Sequence, residues 1–237
     1  MRLSVIIPTH NEQAAIAAAV ASAQEGGAAE VIVADGGSTD RTCQIARSVG
    51  AEVVTGANGR GPQQNAGAAA ATGDVVLFLH ADCRLQPAAS DAIAFALGVW
   101  PDCEAGGFRQ RYRPTGGGLA RRLHDAVALS VMAEANAVRG WWGTLYGDQA
   151  IWVRRDAFDR VGGFPDWPLF EDVELSRRLG LGRGTPILRQ PSVLVHERKF
   201  SGLALYRQAW RNRRLRRAFR DGVPVEELAR RYRASHE

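Results

Sequence analysis

The amino-acid sequence predicts an α/β protein in which helices cover both faces of a mostly parallel sheet. In the first hundred residues, short apolar runs rich in β-branched residues alternate four times with Ala-rich stretches. The apolar runs are four to six residues long, as buried strands are, and the stretches between them are long enough for helices. Units of this kind form parallel sheets whose ligands bind beyond the carboxyl ends of the strands.

The elements can be placed in order along the chain. Predicted strands span residues 3–8, 30–34, 52–55 and 74–79, and the helices that follow them span 11–25, 39–49, 62–71 and 87–99. The second half is less regular, with strand-like stretches at 104–113 and 149–155, two short strands within 187–195 separated by Pro191, and helices at 119–138, 171–179 and 202–221. A Rossmann-like half therefore precedes an irregular half.

Composition limits the class of protein. A length of 237 residues fits one domain with an appendage, and 46% hydrophobic with 23% charged residues is the balance of a globular protein. No apolar run approaches the ~20 residues of a membrane span, and the first residues lack a signal-peptide pattern. Cys43, Cys83 and Cys103 have no CxxC spacing, which argues against a disulfide framework or a zinc site. We expect a cytoplasmic protein.

Positive charge is concentrated towards the C-terminus. The net charge is +5, but residues 198–233 hold 12 basic and three acidic side chains, so the remainder carries −4. Apolar residues lie between the arginines at helical spacing, so we expect residues 202–220 to form an amphipathic helix on an anionic membrane surface. The alternatives are a helix docked on the rest of the chain and a solvated helix. A nucleic-acid-binding protein acting through this tail is a further alternative, since residues 223–233 resemble the start of a helix-turn-helix. No second recognition helix is predicted after them, so a nucleic-acid partner is not expected.

Polar and turn-forming residues follow the predicted strands. They are Pro8, Thr9, His10 and Glu12 after the first strand, Asp35 and Gly36 after the second, and His80 and Asp82 after the fourth. Because the carboxyl ends of parallel strands meet at one edge of a sheet, we expect these residues to lie together. That edge is the candidate ligand site.

The loop after the first strand excludes several nucleotide-binding enzymes. This loop, PTHNE, is not the GxGxxG of a dinucleotide oxidoreductase, and no GxxxxGK[ST] phosphate loop occurs in the chain. A nucleotidyltransferase would need a Gly-rich, basic loop here, and PTHNE contains no Gly, Lys or Arg.

Four segments, in the order and spacing found in one protein family, carry a resemblance to that family. SVIIPTHNE (4–12), VIVADGGSTD (31–40), NAGAAAATGDVVLFLHAD (65–82) and FEDVELSRRL (170–179) resemble family 2 glycosyltransferases of the GT-A fold. The stretches 147–165 and 168–179 also resemble a small bacterial subfamily labelled as arsenosugar-type biosynthesis glycosyltransferases. The resemblance implies transfer of a sugar, with inversion, from a nucleoside diphosphate sugar, most readily a UDP-sugar, to an acceptor hydroxyl.

The resemblance also implies how the chain is divided. It covers about residues 3–200, so we expect a glycosyltransferase domain over 1–200 and a basic helical extension over 201–237. Within the domain, residues 1–100 would form the nucleotide-binding half and residues 101–200 the acceptor and catalytic half.

Donor-binding residues follow from the motifs. The resemblance assigns Pro8, Thr9, His10 and Glu12 to the nucleoside, Asp35 with Gly36 to the base or ribose, and Arg60 with Gln64 to the base and diphosphate. Asp35 is also typical of a turn before two glycines, so an ordinary turn residue remains the alternative for it.

His80-Ala81-Asp82 occupies the position of the family's DxD motif, which binds a divalent cation on the donor diphosphate. Asp82 is the expected direct ligand, and oxygen ligands suit Mg²⁺ or Mn²⁺. His80 replaces the first carboxylate and favours Mn²⁺, since imidazole is the softer ligand. His196 is a further candidate ligand. The alternative for both histidines is a hydrogen-bonded residue at a strand end, and the missing carboxylate leaves a non-catalytic sugar-nucleotide-binding protein as an alternative function.

The catalytic candidates lie in the second half. Glu171 and Asp172 match the family's ED motif, which implies that Asp172 is the base and Glu171 supports it, with the reverse left open. They open a predicted helix, whose dipole favours an ionised carboxylate. An aromatic loop with glycines precedes them, and its candidate substrate contacts are Trp142, Gly147, Asp148 and Gln149. Adjacent tryptophans also occur as core and rim residues.

Overall fold

The structure, a computed structural model, describes residues 1–56, 59–112, 119–195 and 203–233. The described strands are β1 Leu3–Thr9, β2 Glu30–Asp35, β3 Glu52–Thr55, β4 Val75–Phe78, β5 Cys83–Arg84, β6 Ala105–Tyr112, β7 Trp152–Arg154 and β8 Ile187–Val195. The described helices are α1 Ile16–Glu25, α2 Thr42–Ser48, α3 Arg60–Ala70, α4 Ala89–Val99, α5 Leu119–Trp141, α6 Arg155–Arg160, α7 Glu171–Arg178, α8 Leu203–Arg220 and α9 Val225–Arg233.

The predicted α/β architecture is confirmed. The described strands form one sheet in the order β3-β2-β1-β4-β7-β6-β8-β5. Four of its seven pairings are parallel, and β7 joins the parallel half to β6 through antiparallel pairings on both sides. The carboxyl ends of β1 and β2 therefore lie side by side, and Thr9 is opposite Asp35 in the register.

Helices cover both faces of the sheet because β1 is apolar on both sides. Val5 and Ile7 belong to one buried cluster with α1, and Ile6 belongs to another with α3. A Cβ on Gly67 would lie 2.4 Å from Cγ2 of Ile6, so only glycine lets α3 approach β1 this closely. This packing fixes the start of α3, at Arg60, near the carboxyl edge of the sheet.

Three sequence predictions differ from the structure in detail. Residues 187–195 form one strand, because the pairing with β6 shifts between Phe108 and Gln110 and so accommodates Pro191. Helix α1 begins at Ile16 rather than residue 11, since Asn11 has a φ of 56° and binds the backbone of Thr39 through its side chain. The short elements β5 and α6 were not predicted, and α9 lies in the extension that was predicted as helical without separate bounds.

The described part of the basic tail docks on the rest of the chain. Leu215 and Phe219 of α8 and Leu228 of α9 form an apolar cluster with Phe170, whose ring stacks on that of Phe219 at 4.6 Å. One face of α8 is therefore docked on the rest of the chain, as one of the alternatives expected. The predicted contact with a membrane is left to the opposite, outer face of α8. Among the described helices, none combines the length and the apolar character that a membrane span requires.

Candidate active site

The carboxyl ends of β1 and β2 are tied together by a buried glutamine. Gln63 Nε2 donates to the carbonyl oxygens of Thr9, at 2.6 Å, and Ala34, at 2.9 Å. Gly36 packs on this amide, because a Cβ there would lie 2.9 Å from Gln63 Cδ. The edge predicted to hold the donor is therefore held by hydrogen bonds and packing within the protein.

Asp35 makes the turn that the alternative interpretation expected. Its carboxylate accepts hydrogen bonds from the backbone N–H groups of Gly37, at 3.0 Å, and Ser38, at 2.9 Å, and from the Ser38 hydroxyl. Burial alone would raise the pKa of Asp35, but these hydrogen bonds outweigh it and hold the pKa below its ordinary value. The carboxylate is therefore ionised and fixed at the strand end, and contact with a nucleoside remains a prediction.

The other residues assigned to the donor line the same edge. Pro8 is half-buried, His10 is exposed and bonded to Asn11, and the backbone N–H of Glu12 donates to the Thr42 hydroxyl. Gln64 is buried, and its Nε2 atom has no hydrogen-bond partner among the described residues. An unpaired buried amide costs free energy, so this group is a candidate for pairing with a ligand.

Arg60 connects this edge to the catalytic candidates. Its guanidinium lies 3.4 Å from the Glu171 carboxylate, which is buried, while half of the Arg60 side chain is exposed. Glu171, and then Asp172, raise the pKa of Arg60, and the charge of Arg60 limits the rise that burial causes in the pKa of Asp148. One cation from the first half of the predicted domain therefore faces several acids of the second half.

His80 and Asp82 lie together at the end of β4, as the sequence predicts. One side-chain ligand atom each from His80, Asp82 and Cys83 lies within 4.8 Å of the others. Burial, and then the charge of Arg60, lower the pKa of His80 to about 4, so its imidazole is neutral. Burial raises the pKa of the Cys83 thiol well above its ordinary value, so it stays protonated. A neutral imidazole beside a carboxylate is a donor set that suits a divalent cation.

Gly147 provides the space for His80. A Cβ at Gly147 would lie 2.5 Å from Nε2 of His80, a buried atom that has no partner among the described residues. The next residue, Asp148, accepts a hydrogen bond from Tyr112, and burial followed by the charge of Asp82 raises its pKa to about 6. The sequence prediction that Gly147 and Asp148 belong to the site thus agrees with their place in the structure, whereas their contact with substrate remains untested.

Asp172 is held by two backbone donors. The N–H of Gly147 donates to its Oδ2 at 2.8 Å, and the N–H of Val173 donates to its Oδ1 at 2.7 Å. Burial and then the charge of Glu171 nevertheless raise the pKa of Asp172 to about 7. The helix dipole therefore does not dominate, contrary to the sequence argument, because desolvation and a neighbouring carboxylate act against it.

The residue before Asp172 and Glu171 has an unusual backbone. Phe170 precedes α7 with a φ of 64°, in the left-handed region that a bulky residue rarely adopts. Its ring is held by the stacking contact with Phe219 of α8. Such a conformation persists only where the surroundings enforce it, so the basic tail takes part in orienting α7, the helix that carries the catalytic candidates.

Three residues predicted to bind substrate or metal are not among the site residues described above. The side chain of Gln149 is fully buried and accepts from the Tyr146 N–H at 2.9 Å, so it braces the loop, and its contact with substrate stays a prediction. Trp142 is exposed, and the ring contact recorded for it is with Arg183, 5.5 Å from the ring centroid, rather than with any of the acids. His196 lies outside the described residues, so its metal contact remains a prediction.

Sequence reasoning missed several residues near the site. Gln63 stands beside the predicted Gln64, and only the close packing of Gly36 reveals its role. Tyr146 and Arg216 face each other, with the guanidinium 5.8 Å from the ring centroid. The charge of the tail was the available signal for Arg216, but its direction towards the site could not be read from spacing.

Comparison with known proteins decides the family. The model of the family described as glycosyl transferase family 2 matches residues 4–162, about two thirds of the chain. The chain belongs to glycosyl transferase family 2. This confirms the family resemblance, and the arsenosugar-type subfamily stays a prediction.

Two curated proteins of this kind are similar to the chain. The probable glycosyltransferase YdaM of Bacillus subtilis (strain 168) is 27% identical over 197 residues, which cover 75% of this chain and 46% of YdaM. Glycosyltransferase AglE of Haloferax volcanii is 29% identical over 176 residues, which cover 69% of this chain and 56% of AglE. The chain spans about half the length of the curated relatives it matches.

Solved glycosyltransferase structures share the fold. Residues 1–349 of TarS from S. aureus, in complex with UDP-GlcNAc, align with a TM-score of 0.63 and 16% identity over 85% of this chain and 60% of that one. The mannosyltransferase PcManGT from Pyrobaculum calidifontis, in complex with GDP-Man and Mn²⁺, aligns with a TM-score of 0.63 and 24% identity over 98% and 69%. The predicted GT-A fold of this family member is confirmed.

Proposed function

We propose that this member of family 2 transfers a glycosyl group from a nucleoside diphosphate sugar to an acceptor hydroxyl, with inversion. The observation that carries the proposal is Asp172, a carboxyl with a pKa of about 7 that two backbone N–H groups hold beside Gly147. A base works best when its pKa lies near the operating pH. A uridine diphosphate sugar is the donor class that the motifs favour.

The proposed reaction is a single displacement at the anomeric carbon. The ionised Asp172 accepts the hydroxyl proton as the acceptor oxygen attacks from the face opposite the leaving diphosphate. Glu171 holds Arg60 by an ion pair, and its charge keeps the pKa of Asp172 raised. Burial of Glu171 leaves its carboxylate turned to Arg60, which supports the assignment of Asp172 rather than Glu171 as the base.

The donor would lie along the carboxyl edge of the sheet. Thr9, Asp35 and Gln64 face the nucleoside in this proposal, and Arg60 faces the diphosphate. Asp82, with the neutral His80, would hold Mn²⁺ or Mg²⁺, a cation that neutralises charge on the leaving diphosphate. His196 is kept as a further candidate ligand.

Calorimetric titration of nucleotide sugars into the purified chain tests donor binding. With Mn²⁺ present, we expect one class among UDP-, GDP- and dTDP-sugars to bind more tightly than the others, since Asp35 and Gln64 offer fixed polar groups to one base. The matching free nucleoside diphosphate should compete. Absence of binding by every nucleotide sugar, with a folded chain, would refute the proposed donor site.

We propose in addition that an anionic membrane surface is a partner. Helix α5 carries an exposed apolar stripe, made of Leu123, Val127, Val131, Val138 and Trp141. The stripe is about 27 Å long at 1.5 Å per residue. Glu134 lies on the same face, but Arg109, at 2.6 Å, and Arg189, at 3.2 Å, pair with it. Exposed apolar surface of this extent in a soluble domain marks an interaction site.

Helix α8 supplies the cationic side of the same surface. The hydroxyl of Tyr206 lies 2.8 Å from Nε2 of His124, which places α8 beside α5. Trp210 is 61% exposed, and the guanidinium of Arg214 lies 4.6 Å from its ring centroid. An apolar stripe beside aromatic and arginine side chains fits the boundary between acyl chains and anionic headgroups.

Vesicle flotation tests the membrane partner. The chain should float with anionic vesicles and not with neutral ones at low salt, because arginine attraction adds about 1 kcal/mol per residue near the surface. Val127→Ser/Val131→Ser should reduce flotation, and Phe95→Ser, an exposed position on α4, should not. Equal recovery with both kinds of vesicle would overturn the proposal.

A further inference from the structure

A cleft of about 530 Å³ opens beside the start of α7, and the sequence analysis did not assign it. Tyr146 and Val173, the neighbours of Gly147 and Asp172, line it on one side, and α8 lines it on the other. Asp35, Arg60 and Asp82, which belong to the proposed donor site, are absent from its described lining. Its volume lies in the range of small-molecule sites.

Four arginines converge on this space, which we call the arginine cleft. They are Arg139 of α5 and Arg213, Arg216 and Arg220 of α8. Burial, and then repulsion from Arg139 and Arg220 against the attraction of Tyr146, lower the pKa of Arg216. Like charges brought this close oppose folding unless an anion joins them.

The four arginines of the cleft lack carboxylate partners among the described residues. Within the described residues none of the four forms an ion pair with a carboxylate, and Arg139 donates only to the amide oxygen of Asn136, at 2.8 Å. Ion pairs elsewhere join Arg60 to Glu171, Arg109 and Arg189 to Glu134, Arg160 to Glu104, and Arg177 and Arg178 to Glu174. The cleft therefore offers guanidinium groups to a ligand.

The chemistry of the lining indicates the ligand class. Guanidinium groups bind phosphate oxygens in a bidentate manner, and several of them together select a phosphate over a single carboxylate. The rings of Tyr146, Phe170 and Phe219 form an apolar wall that suits the organic part of the same molecule. Phe170 and Val173 of the lining flank Glu171 and Asp172 in the chain, whereas the residues of the proposed donor site do not line the cleft, and this arrangement favours the acceptor over the donor.

We propose that the arginine cleft binds the phosphate group of a phosphorylated acceptor whose hydroxyl receives the sugar. The proposal rests on the proposed function, since only a transferase has an acceptor. The acceptor oxygen bonds to the anomeric carbon while the bond from that carbon to the donor diphosphate oxygen breaks. The electron pair leaves with the diphosphate, and the hydroxyl proton passes to Asp172. The phosphate positions the acceptor and takes no part in bond making.

Binding of inorganic phosphate to the full chain tests the cleft without any transfer reaction. Arg213→Gln/Arg216→Gln should lower phosphate affinity about tenfold or more, because two charge-assisted contacts are lost. Arg230→Gln/Arg233→Gln makes the same charge change on exposed positions of α9 and should leave the affinity unchanged. Equal losses in both variants, or no phosphate binding by the wild type at millimolar concentration, would overturn the proposal.

A charge-conserving variant separates a loss of phosphate binding from misfolding of the chain. Arg213→Lys/Arg216→Lys keeps the charge but loses bidentate geometry, so reduced phosphate affinity is expected, and unchanged affinity would count against the cleft. Donor affinity, measured on the same variants, should stay at the wild-type value. A chain that binds phosphate in the cleft but binds no nucleotide sugar would refute the proposed function and leave the anion site standing.

The source of the phosphate is decided with vesicles. Phosphatidylcholine vesicles with and without phosphatidic acid are floated with the wild type and with Arg213→Lys/Arg216→Lys, which keeps the positive charge of α8. Weaker recovery of this variant than of the wild type with phosphatidic acid identifies a lipid headgroup as the acceptor phosphate. Equal recovery, together with the loss of inorganic phosphate binding, identifies a free phosphorylated molecule.

Discussion

Asp172→Asn should lower turnover by about 10²–10⁴-fold and leave donor affinity unchanged, because a positioned base contributes an acceleration of that size. The asparagine keeps the shape of the side chain, and its single oxygen can accept one of the two hydrogen bonds from the N–H groups of Gly147 and Val173. The measurement is steady-state turnover beside calorimetric donor binding. Near-normal turnover in this variant would remove Asp172 from the mechanism.

The pH profile gives the same residue a second signature. A base accepts a proton only when ionised, so kcat/KM should rise as the pH passes through about 7, the pKa of Asp172, and then level off. Glu171→Gln is the matched control. It removes a charge that raises the pKa of Asp172, so the rise should move to lower pH. Loss of turnover in Glu171→Gln alone, with normal Asp172→Asn, would reverse the two roles.

The Asp172→Asn variant should also fold well. A carboxyl whose folded-state pKa is raised loses folding free energy as the pH rises above its unfolded value, because ionisation then favours the unfolded chain. Replacing Asp172 by a neutral side chain removes that loss, which offsets the one hydrogen bond that the amide cannot accept. At pH 8 the urea midpoint of the variant should equal or exceed that of the wild type, which separates a catalytic defect from a folding defect.

Asp82→Asn should abolish the part of donor affinity that depends on Mn²⁺. An amide oxygen is a weaker ligand than a carboxylate for a hard divalent cation, and His80 alone is neutral. The fold should persist, since Asp82 is half-buried and its described side-chain contact is with the Cys83 thiol at 3.7 Å. Calorimetry with and without Mn²⁺ gives the metal-dependent difference directly.

Asp102→Asn is the control for this experiment. Asp102 is an exposed acid outside the proposed site, and its replacement makes the same change of charge. Donor affinity and its metal dependence should match the wild type in this variant. If Asp82→Asn also matches the wild type in both quantities, the assignment of Asp82 to a metal is wrong.

The first half of the fold could be predicted from sequence because its signals are local. Runs such as 30–34 are apolar and β-branched, and the polar residues after them break the strand. Strands in the second half depend on partners distant in sequence. Cys83–Arg84 is a strand only because β8 pairs with it, and Pro191 fits within β8 only because the register with β6 shifts. Neither fact is visible in a local pattern.

The candidate site was predictable where residues sit at strand ends, and not where packing decides direction. Asp35, His80 and Asp82 follow strands and lie where the topology places them. Gln149 and Trp142 had suitable chemistry, but the first turned inward to brace a loop and the second outward. The left-handed Phe170 and its contact with Phe219 join segments 49 residues apart, so no spacing rule could reveal them.

Donor consumption by the wild type and by Asp172→Asn, followed side by side by mass spectrometry, tests the central claim most directly. Each chain is incubated with Mn²⁺, the nucleotide sugar that it binds and an extract that supplies the acceptor. Release of the nucleoside diphosphate is then measured. The wild type should release it and transfer the sugar, and the bound but unreactive Asp172→Asn should do neither. A wild type that binds the donor and never consumes it would contradict the claim and identify a sugar-nucleotide-binding protein instead.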